Sequence, residues 1–452
     1  MLNRKIESSI ASWIKNDKKA LLIDGARQVG KTYIIRKVLR ELECEYIEFN
    51  FIQSPELIKL LDKSETVDEM ITNLSLFTDK PFVKGKTFIF FDEIQEFKEI
   101  TTKVKFWVEE GSFRYIFSGS LLGVALKNIT SAPVGYLKTL TMYPMDFEEF
   151  LQIYNFTDAL KESLHKAFIN RTPVNEAVHN HMMQIFNTYL NVGGMPAAVQ
   201  KFSETKNLAD VMSEHADIVM QYKMDFTKYE AEEKRIYLTQ IYDLIPAELN
   251  KSNKRFIFAD MKKGLRYEKS AEDFLWLSGA GVALPVYNIS EPVIPLKINE
   301  NSSLFKFFLS DVGMLTTLYG KAAKMQLLSD NSDINFGAVY ENAAAQELKA
   351  HGLTLYYYNS KRFGELDFVI EYKGKVLPIE IKSGKDYKRH SALSNIMEIS
   401  NYSINEAFVF TNYNVEVKGN YIYYPIYMLM FIGDEDIELP TVDITDLSKL
   451  SE

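Results

Sequence analysis

Short apolar runs that end in polar or glycine residues mark the strands of a sheet in the first 120 residues. Four of these runs are rich in β-branched and aromatic side chains, as strands are: 20–24, 45–50, 87–94 and 114–120. The third is almost continuously apolar, which is typical of a central parallel strand because both of its faces are covered. Between the runs, apolar residues at helical spacing predict helices at 4–16, 33–40 and 55–74. This alternation predicts an α/β fold.

A glycine-bounded loop joins the first strand to its helix. Its sequence, Gly25-Ala-Arg-Gln-Val-Gly-Lys-Thr32, fits the P-loop pattern G-x-x-x-x-G-K-T in the strand–loop–helix context that the motif requires. The two glycines let the backbone turn its N–H groups towards phosphate oxygens, and the helix start adds the positive end of its dipole. Lys31 would reach the β- and γ-phosphates, and Thr32 would offer its hydroxyl to magnesium. We therefore expect ATP and Mg²⁺ as cofactors.

Two carboxylates, Asp92 and Glu93, end the third run, at the edge where α/β sheets bind their ligands. Asp92 is expected to hold Mg²⁺ through water opposite Thr32, and Glu93 to orient and deprotonate the attacking water. Ser118 ends the next strand, either as a polar sensor beside the γ-phosphate or as an ordinary strand-ending serine. Lys31 and Glu93 are thus the predicted catalytic residues. The predicted nucleotide contacts are Gly25, Arg27, Gln28, Val29, Gly30, Lys31, Thr32, Tyr33 and Ser118.

Several motifs together resemble a prokaryotic AAA-type P-loop ATPase family. They are the P-loop, Phe90-Phe-Asp-Glu-Ile-Gln95, Phe117-Ser-Gly-Ser-Leu-Leu122, Pro133-Val-Gly135, Tyr143-Pro-Met-Asp-Phe-Glu-Glu-Phe150 and Tyr189-Leu-Asn-Val-Gly-Gly-Met-Pro196. The resemblance runs nearly end to end, and it implies an ATPase domain at 1–150 and a C-terminal domain related to restriction endonucleases. Many relatives have a basic residue where this chain has Tyr136. No arginine finger is therefore assigned, and activation by a second copy in a homo-oligomer stays open.

The middle of the chain predicts two helical units. Asp146 and Glu149 predict a capping box that starts the first helix, and residues 151–204 predict a helical lid over the nucleotide. Residues 205–300 predict helices followed by strands, and the resemblance implies a winged helix there. Between 251 and 269, seven basic residues accompany two acidic ones. This excess predicts either a contact with DNA phosphates or a solvated helix face.

A polar break at 299–303 opens the C-terminal domain, which we expect at 301–432. A strand running into a helix follows the break, and a further helix is predicted at 337–350. That helix carries Glu341 in an apolar stripe, where a carboxylate is costly unless it is paired or bound to a metal. The tail at 433–452 is acidic and lacks periodicity.

A hairpin follows, because two apolar strands flank the two-residue loop Lys373-Gly374. The loop fixes the register, which places Asp367 opposite Glu380 and Glu365 opposite Lys382. All four side chains share one face, because strand side chains alternate with a period of two. Opposed Cβ atoms lie about 5 Å apart, so two carboxylates so placed repel unless a cation lies between them.

This arrangement resembles the PD-(D/E)xK pattern of Mg²⁺-dependent nucleases, with Asp367, Glu380 and Lys382 in the matching places. The resemblance implies that Glu341, Asp367 and Glu380 hold a metal ion, and that Glu380 and Lys382 act in catalysis. The alternative is an amphipathic hairpin with a charged outer face. Two functions therefore stay open: an ATP-controlled nuclease acting on DNA, or a nucleotide-switched protein that binds DNA or a protein without cleaving.

Composition argues against several classes of protein. The net charge is −9, which argues against a uniformly basic nucleic-acid coat. The single cysteine, Cys44, excludes an internal disulfide and a multi-cysteine zinc site. No run approaches the roughly 18 apolar residues of a membrane span, and the first residues lack the apolar core of a signal peptide. A cytoplasmic location without a membrane partner is the expectation.

Overall fold

The computed structural model describes residues 2–97, 99–120, 135–229, 232–251, 256, 267–329 and 336–433. Most of the basic segment 251–269, the tail beyond residue 433 and the pair Pro133-Val134 lie outside these ranges. The described residues form two β-sheets with helices packed against them.

The N-terminal sheet consists of five parallel strands. Its strands are β1 (Ala20–Asp24), β2 (Tyr46–Asn50), β3 (Phe88–Asp92), β4 (Arg114–Ser118) and β5 (Leu137–Thr141). They lie in the order β2-β3-β4-β1-β5, so β4 separates the P-loop strand from the strand that ends in Asp92. Every residue of β3 is buried, as a central parallel strand requires. The predicted parallel α/β sheet is confirmed.

Helices precede and connect these strands. They are α1 (Ile6–Asn16), α2 (Lys31–Glu41), α3 (Pro55–Lys63), α4 (Val67–Leu74) and α5 (Ile100–Glu110). The prediction of one helix over 55–74 is wrong, because residues 64–66 are not helical and separate α3 from α4. Thr66 starts α4 as its N-cap, and its hydroxyl accepts a hydrogen bond of 3.2 Å from the Glu69 amide. This cap satisfies a backbone donor that a helix start otherwise leaves unpaired.

A run of helices leads from the first sheet to the second. They are α6 (Phe147–Leu151), α7 (Asp158–Asn170), α8 (Glu176–Val192), α9 (Pro196–Thr205), α10 (Leu208–Tyr229), α11 (Glu232–Leu249) and α12 (Tyr267–Gly279). The predicted capping box is confirmed, because Asp146 and Glu149 exchange hydrogen bonds between side chain and backbone at the start of α6. Gly193, with a φ of 69°, ends α8, and Pro196 begins α9.

The second sheet is mixed and has eight strands in the order β12-β13-β11-β10-β9-β8-β6-β7. These strands are β6 (Ala283–Ile289), β7 (Glu300–Leu309), β8 (Tyr356–Ser360), β9 (Gly364–Tyr372), β10 (Lys375–Lys382), β11 (Ala407–Thr411), β12 (Glu416–Lys418) and β13 (Tyr421–Pro425). The helices of this region are α13 (Val312–Tyr319), α14 (Lys321–Leu328), α15 (Gly337–Ala350) and α16 (Ser391–Met397). Short 3₁₀ helices occupy Ser75–Phe77, Ile94–Glu96, Gln152–Tyr154, Leu296–Asn299, Ser400–Tyr402 and Ile426–Phe431.

The segment predicted as a winged helix contributes a strand to the C-terminal sheet. Its strand β6 pairs antiparallel with β7 and parallel with β8. The predicted boundary after residue 300 therefore falls at the first residue of β7, within this sheet. The polar break predicted at 299–303 is wrong for Glu300 to Ser303, which belong to β7. The division into a winged-helix-like unit and a separate C-terminal domain stays a prediction.

Helix α15 packs against the helices that follow the first sheet. Tyr189 on α8 is fully buried, and its hydroxyl donates a hydrogen bond of 2.9 Å to the Met145 carbonyl. The Gln346 amide of α15 donates to the same hydroxyl at 2.9 Å. The rings of Phe186 and Tyr340 contact each other beside it. The two halves of the molecule are therefore joined by a buried contact.

Candidate functional site

The P-loop backbone depends on its two glycines. Gly25 has a φ of +134° and Gly30 a φ of +96°, both in the region that side chains disfavour. A Cβ at Gly25 would lie 2.1 Å from the Met142 carbonyl oxygen. Any larger residue at 25 would therefore displace β5 or open the loop.

Lys31 lies inside the loop that precedes it. Its ammonium donates hydrogen bonds to the carbonyls of Gly25 at 2.9 Å and Ala26 at 2.7 Å. Burial lowers the pKa of Lys31 to about 8, although the nearby carboxylates of Glu93 and Asp92 raise it. The charge is thus held within the loop by dipoles and by carboxylates in the same site.

Neutral donors converge on Asp92. The Thr32 hydroxyl lies 3.1 Å from each of its carboxylate oxygens, and the Asn50 amide donates to Oδ2 at 3.1 Å. The Ser118 hydroxyl hydrogen-bonds Oδ1 from the end of β4. The predicted proximity of Thr32 and Asp92 is confirmed, and Ser118 joins them because β4 is the neighbouring strand.

Glu93 lies directly beyond the strand, in a left-handed conformation with a φ of 58°. Its carboxylate is the strongest of the charges that raise the pKa of Lys31. Its Oε2 accepts a hydrogen bond of 2.5 Å from the Gln95 amide. The structure therefore brings Lys31, Asp92 and Glu93 together, as the sequence predicts.

Helix α10 covers the middle of the P-loop. Arg27 forms an ion pair of 2.9 Å with Asp225, and the side chain of Gln28 hydrogen-bonds that of Gln221. The Tyr222 hydroxyl donates to the Arg27 carbonyl at 3.1 Å. The side chains of Arg27 and Gln28, both predicted to contact nucleotide, thus contact α10.

A cavity of about 490 Å³ opens beside the start of α2. Val29, Gly30 and Tyr33, all predicted nucleotide contacts, line it. Residues that the motif analysis did not predict complete the lining: Leu2, Arg4, Ile34, Met142, Pro196 and Gln200. Most of this surface is apolar, which suits the flat face of a nucleobase.

Sequence motifs could have indicated only part of that lining. Pro196 belongs to the glycine-rich break between α8 and α9, and Met142 follows β5 directly. Arg4 carries no motif, yet its guanidinium donates to the carbonyls of Val29 at 3.0 Å and Tyr143 at 2.7 Å. The N-terminal segment therefore closes one wall of the cavity.

The predicted hairpin in the C-terminal sheet is confirmed. Lys373 and Gly374 form its two-residue loop with φ values of 51° and 71°, and the strands pair from Tyr372–Lys375 to Phe368–Ile379. The next position in this register brings Asp367 beside Glu380. Asp367 Oδ2 accepts a hydrogen bond of 2.9 Å from the Ile381 amide.

Glu380 is buried and lies among other charges. Its Oε1 forms an ion pair of 2.6 Å with Lys382. Burial, together with the nearby carboxylates of Asp367 and Glu341, raises the pKa of Glu380 to about 8, although Lys382 opposes this shift. The carboxylates of this cluster thus repel one another, as the sequence predicts for a pair without enough positive charge.

Sequence analysis missed Lys306, a fully buried lysine on β7. Its ammonium forms an ion pair of 2.7 Å with Glu365, which the hairpin register had placed opposite Lys382. Burial lowers the pKa of Lys306, but Glu341, Glu365 and Asp367 outweigh that effect and hold it above its usual value. Lys306 therefore supplies positive charge to the carboxylate cluster.

The predicted metal ligands do not form a compact triad. Glu341, Asp367 and Glu380 are all buried. Within the described ranges, however, they are not a group whose ligand atoms all lie within 4.8 Å of one another. The structure brings the three carboxylates into one electrostatic cluster, and their role as metal ligands stays a prediction.

The first sheet and its site define a P-loop ATPase-like domain. A parallel α/β sheet carries the P-loop after β1, and the carboxylate of Asp92 lies across from Thr32. Residues 17–151 match a family model described as an AAA domain. The N-terminal part of the chain is therefore an AAA-type P-loop ATPase domain. Residues 183–325 and 336–429 match two domains of unknown function, DUF8612 and DUF4143.

Individual relatives are distant. An uncharacterized protein of Methanocaldococcus jannaschii is 25% identical over 198 residues, which are 43% of this chain and only 38% of that protein. A Walker-type ATPase of Pyrococcus abyssi is 17% identical with a TM-score of 0.42, over 71% of this chain and 96% of that one. The ORC1 protein of Aeropyrum pernix, solved in complex with DNA, is 13% identical with a TM-score of 0.30, over 73% and 93%.

None of the helices within the described ranges combines the length and the apolar character needed to cross a membrane.

Proposed function

We propose that this chain binds ATP with Mg²⁺ and hydrolyses it. The observation that carries the proposal is the convergence of Thr32, Asn50 and Ser118 on the buried carboxylate of Asp92, with Lys31 beside them. Neutral donors orient a carboxylate without cancelling its formal charge, so it can still attract a cation. A site of this kind at the end of a P-loop suits a metal–triphosphate complex.

Each residue then has a distinct part. Thr32 and Asp92 would hold Mg²⁺, which supplies charge neutralisation for the phosphates. Lys31 binds and orients the terminal phosphates with an ammonium that the loop already holds in place. Glu93 takes the proton of the attacking water, and the Gln95 amide fixes the orientation of its carboxylate.

The cavity next to Gly30 is the proposed place for the base. Its apolar walls exclude water from the ring, and the P-loop backbone forms its edge towards the phosphates. The Arg4 guanidinium donates to Val29 and Tyr143 from one wall, which keeps the cavity open between the N-terminus and the loop.

ATP turnover tests the proposal. The wild-type chain should hydrolyse ATP with Mg²⁺, and Lys31→Ala should abolish turnover. Arg40→Ala, at the exposed end of the same helix, is the matched control and should leave turnover unchanged. Equal turnover in the wild type and Lys31→Ala would contradict the proposal.

A second candidate function is metal-dependent cleavage of DNA phosphodiesters by the C-terminal sheet, under the control of ATP. The observation in its favour is the cluster of buried carboxylates around Asp367 and Glu380, with Lys382 2.6 Å from Glu380. The resemblance to PD-(D/E)xK nucleases gives these residues the roles of metal ligands and of a lysine that polarises the attacking water. The rival is a switch that binds DNA or a protein without cleaving.

A plasmid-nicking assay distinguishes the nuclease from the switch that binds without cleaving. The chain is incubated with supercoiled plasmid and Mg²⁺ or Mn²⁺, with and without ATP, beside Glu380→Ala and the exposed control Glu398→Ala. Nicking that is lost only in Glu380→Ala supports the nuclease, whereas binding without nicking supports the switch. ATP turnover should survive in both variants.

DNA contact is proposed for the basic segment 251–269. Charge reversal at Lys262, Lys263 and Arg266 should weaken DNA binding and reduce its dependence on salt concentration. A protein that makes fewer phosphate contacts releases fewer counterions when it binds. Unchanged binding would remove this segment from the proposal.

A further inference from the structure

A buried cluster of ligand-type side chains lies between the start of α6 and the end of α15, away from the P-loop and from the C-terminal hairpin. It consists of Asp146, Glu347 and His351, whose ligand atoms all lie within 4.8 Å of one another. Their side chains are 4%, 3% and 8% exposed. Sequence analysis did not predict it, since Asp146 and His351 are far apart in the chain.

The hydrogen bond at Nδ1 of His351 determines which form the other ring nitrogen, Nε2, takes in the neutral imidazole. Nδ1 lies 2.6 Å from the Ile432 carbonyl, which is an acceptor, so Nδ1 carries a proton. In the neutral imidazole Nε2 then presents a lone pair, and it faces Asp146 Oδ2 at 3.3 Å and Glu347 Oε1 at 3.6 Å. Within the described ranges, neither Nε2 nor Glu347 Oε1 makes a hydrogen bond. The lone pair of Nε2 therefore faces two carboxylate oxygens, of which Asp146 Oδ2 also accepts a hydrogen bond from Lys5.

The spacing of these atoms distinguishes a metal ion from a proton. A charge-assisted N–H···O bond is about 2.7–2.9 Å long, and both separations from Nε2 exceed that. In a tetrahedral zinc site, bonds of about 2.0–2.2 Å to nitrogen and oxygen place the ligand atoms about 3.3–3.6 Å apart. The distances from Nε2 match that edge length.

We propose that Asp146, Glu347 and His351 bind a divalent transition-metal ion, with Zn²⁺ as the ion that best matches two carboxylates and one imidazole. The surroundings orient each ligand as metal sites require. Glu347 Oε2 accepts the Phe147 amide at 2.9 Å, which leaves Oε1 for the ion. Asp146 Oδ1 accepts the Glu149 amide at 2.8 Å, and Oδ2, which also accepts a hydrogen bond from Lys5 at 2.7 Å, is the oxygen that faces the imidazole. The Ile432 carbonyl holds the imidazole.

Lys5 is the positive group that competes with the ion. Its ammonium lies 2.7 Å from Asp146 Oδ2 and 2.9 Å from Glu148 Oε2, and its side chain is 43% exposed. The flexible side chain can therefore keep its contact with Glu148 when Asp146 turns to a metal ion. Lys5 lowers the affinity of the site without blocking it.

Such an ion would link α15, beside the C-terminal sheet, to the start of α6, next to the proposed nucleotide cavity. Arg4 donates to Glu149 at 2.9 Å and to the Val29 carbonyl of the P-loop at 3.0 Å. The metal site and the loop are thus connected through one arginine and one capping box.

Zinc binding by the full-length chain tests the proposal. After removal of bound metal with a chelator, the protein is titrated with Zn²⁺ by calorimetry, without nucleotide, and the bound zinc is counted by atomic emission. The wild type should bind one equivalent. His351→Gln should lower the affinity by about 100-fold or more, since even outer-shell changes cost 10–100-fold. His181→Gln, an exposed histidine on α8, is the matched control and should bind as the wild type does.

A gain in affinity provides a second test that misfolding does not imitate. Lys5→Ala should bind Zn²⁺ about tenfold more tightly, because it removes a positive charge that repels the ion beside Asp146. Lys15→Ala, an exposed lysine at the end of α1, should bind as the wild type does. No stoichiometric zinc in the wild type, or equal affinity in His351→Gln and His181→Gln, would overturn the proposal. An unchanged affinity in Lys5→Ala would exclude Asp146 Oδ2 as a ligand and overturn the proposed triad.

Discussion

The two carboxylate sites on the sheets of this chain differ in what surrounds the charge. Asp92 receives hydrogen bonds from Thr32, Asn50 and Ser118, none of which carries a charge. The C-terminal cluster around Glu380 contains two lysines, Lys306 and Lys382, in direct ion pairs with carboxylates.

This difference separates a carboxylate that only neutral groups hydrogen-bond from carboxylates that lie in direct ion pairs with lysines. Neutral donors hold Asp92 in place, and under the proposed function its negative charge attracts Mg²⁺. In the C-terminal cluster the lysines already compensate part of the charge, and burial together with its neighbours raises the pKa of Glu380 to about 8. A metal ion there has to compete with a proton as well as with ammonium groups.

The largest expected effect comes from removing an internal cation. Lys306→Met leaves Glu365 and its neighbours in a buried cluster without their main counter-charge, so we expect a loss of about 3–5 kcal/mol in the free energy of unfolding. Denaturant unfolding measures it. Lys297→Met, which breaks an exposed ion pair with Glu300, is the control and should cost at most about 1 kcal/mol. Equal losses in the two variants would show that Lys306 does not compensate the cluster.

Removing the proposed base sharpens the account of the N-terminal site. Glu93→Gln should lower ATP turnover by about 100-fold or more while ATP still binds, because the amide cannot accept the proton of the attacking water. Single-turnover and binding measurements distinguish the two steps. Turnover at the wild-type rate would assign the base to another group.

The pH dependence of stability tests the C-terminal cluster. The pKa of Glu380 is raised from 4.5 to about 8 in the folded chain, so between these values the folded state holds a proton that the unfolded state has lost. Stability should therefore fall as the pH rises through this window, by about 2 kcal/mol between pH 6 and 7.5 from this group. Glu380→Gln should lack that part of the slope, whereas the exposed Glu398→Gln should retain it. Parallel slopes in all three proteins would contradict the assignment.

The smallest effect concerns the cavity. Tyr33→Ala should weaken ATP binding about tenfold, since apolar contact with the base is lost, but should leave the affinity for inorganic tripolyphosphate unchanged. Tyr413→Ala, at a similarly exposed tyrosine of the C-terminal part, is the control. A loss of affinity for both ligands would place Tyr33 at the phosphates instead of the base.

Local rules predicted much of both sites. The P-loop spacing fixed the places of Lys31 and Thr32, and the apolar run before Asp92 placed that residue at the ligand edge of a parallel sheet. The two-residue loop at Lys373-Gly374 set the hairpin register that brings Asp367 beside Glu380. These predictions succeed because turn chemistry and the period of two act within a few residues.

Other features depend on tertiary contacts that no local pattern contains. Lys306 enters the carboxylate cluster because β6 and β7 extend the C-terminal sheet, and the sequence predicted a polar break at the start of β7. Glu365 consequently pairs with Lys306, although the hairpin register pointed to Lys382. The side chains of Arg27 and Gln28 contact α10 because that helix lies over the loop. Arg4, from the first residues of the chain, lines the cavity beside α2.

The central claim is that Asp92 provides the charge for magnesium in the nucleotide site. Equilibrium binding of ATP, measured with and without Mg²⁺ for the wild type and for Asp92→Asn, tests it most directly. Mg²⁺ should tighten ATP binding to the wild type by about tenfold or more and have little effect on Asp92→Asn, because the amide keeps the hydrogen bonds but not the charge. An equal Mg²⁺ effect in both proteins would contradict the account.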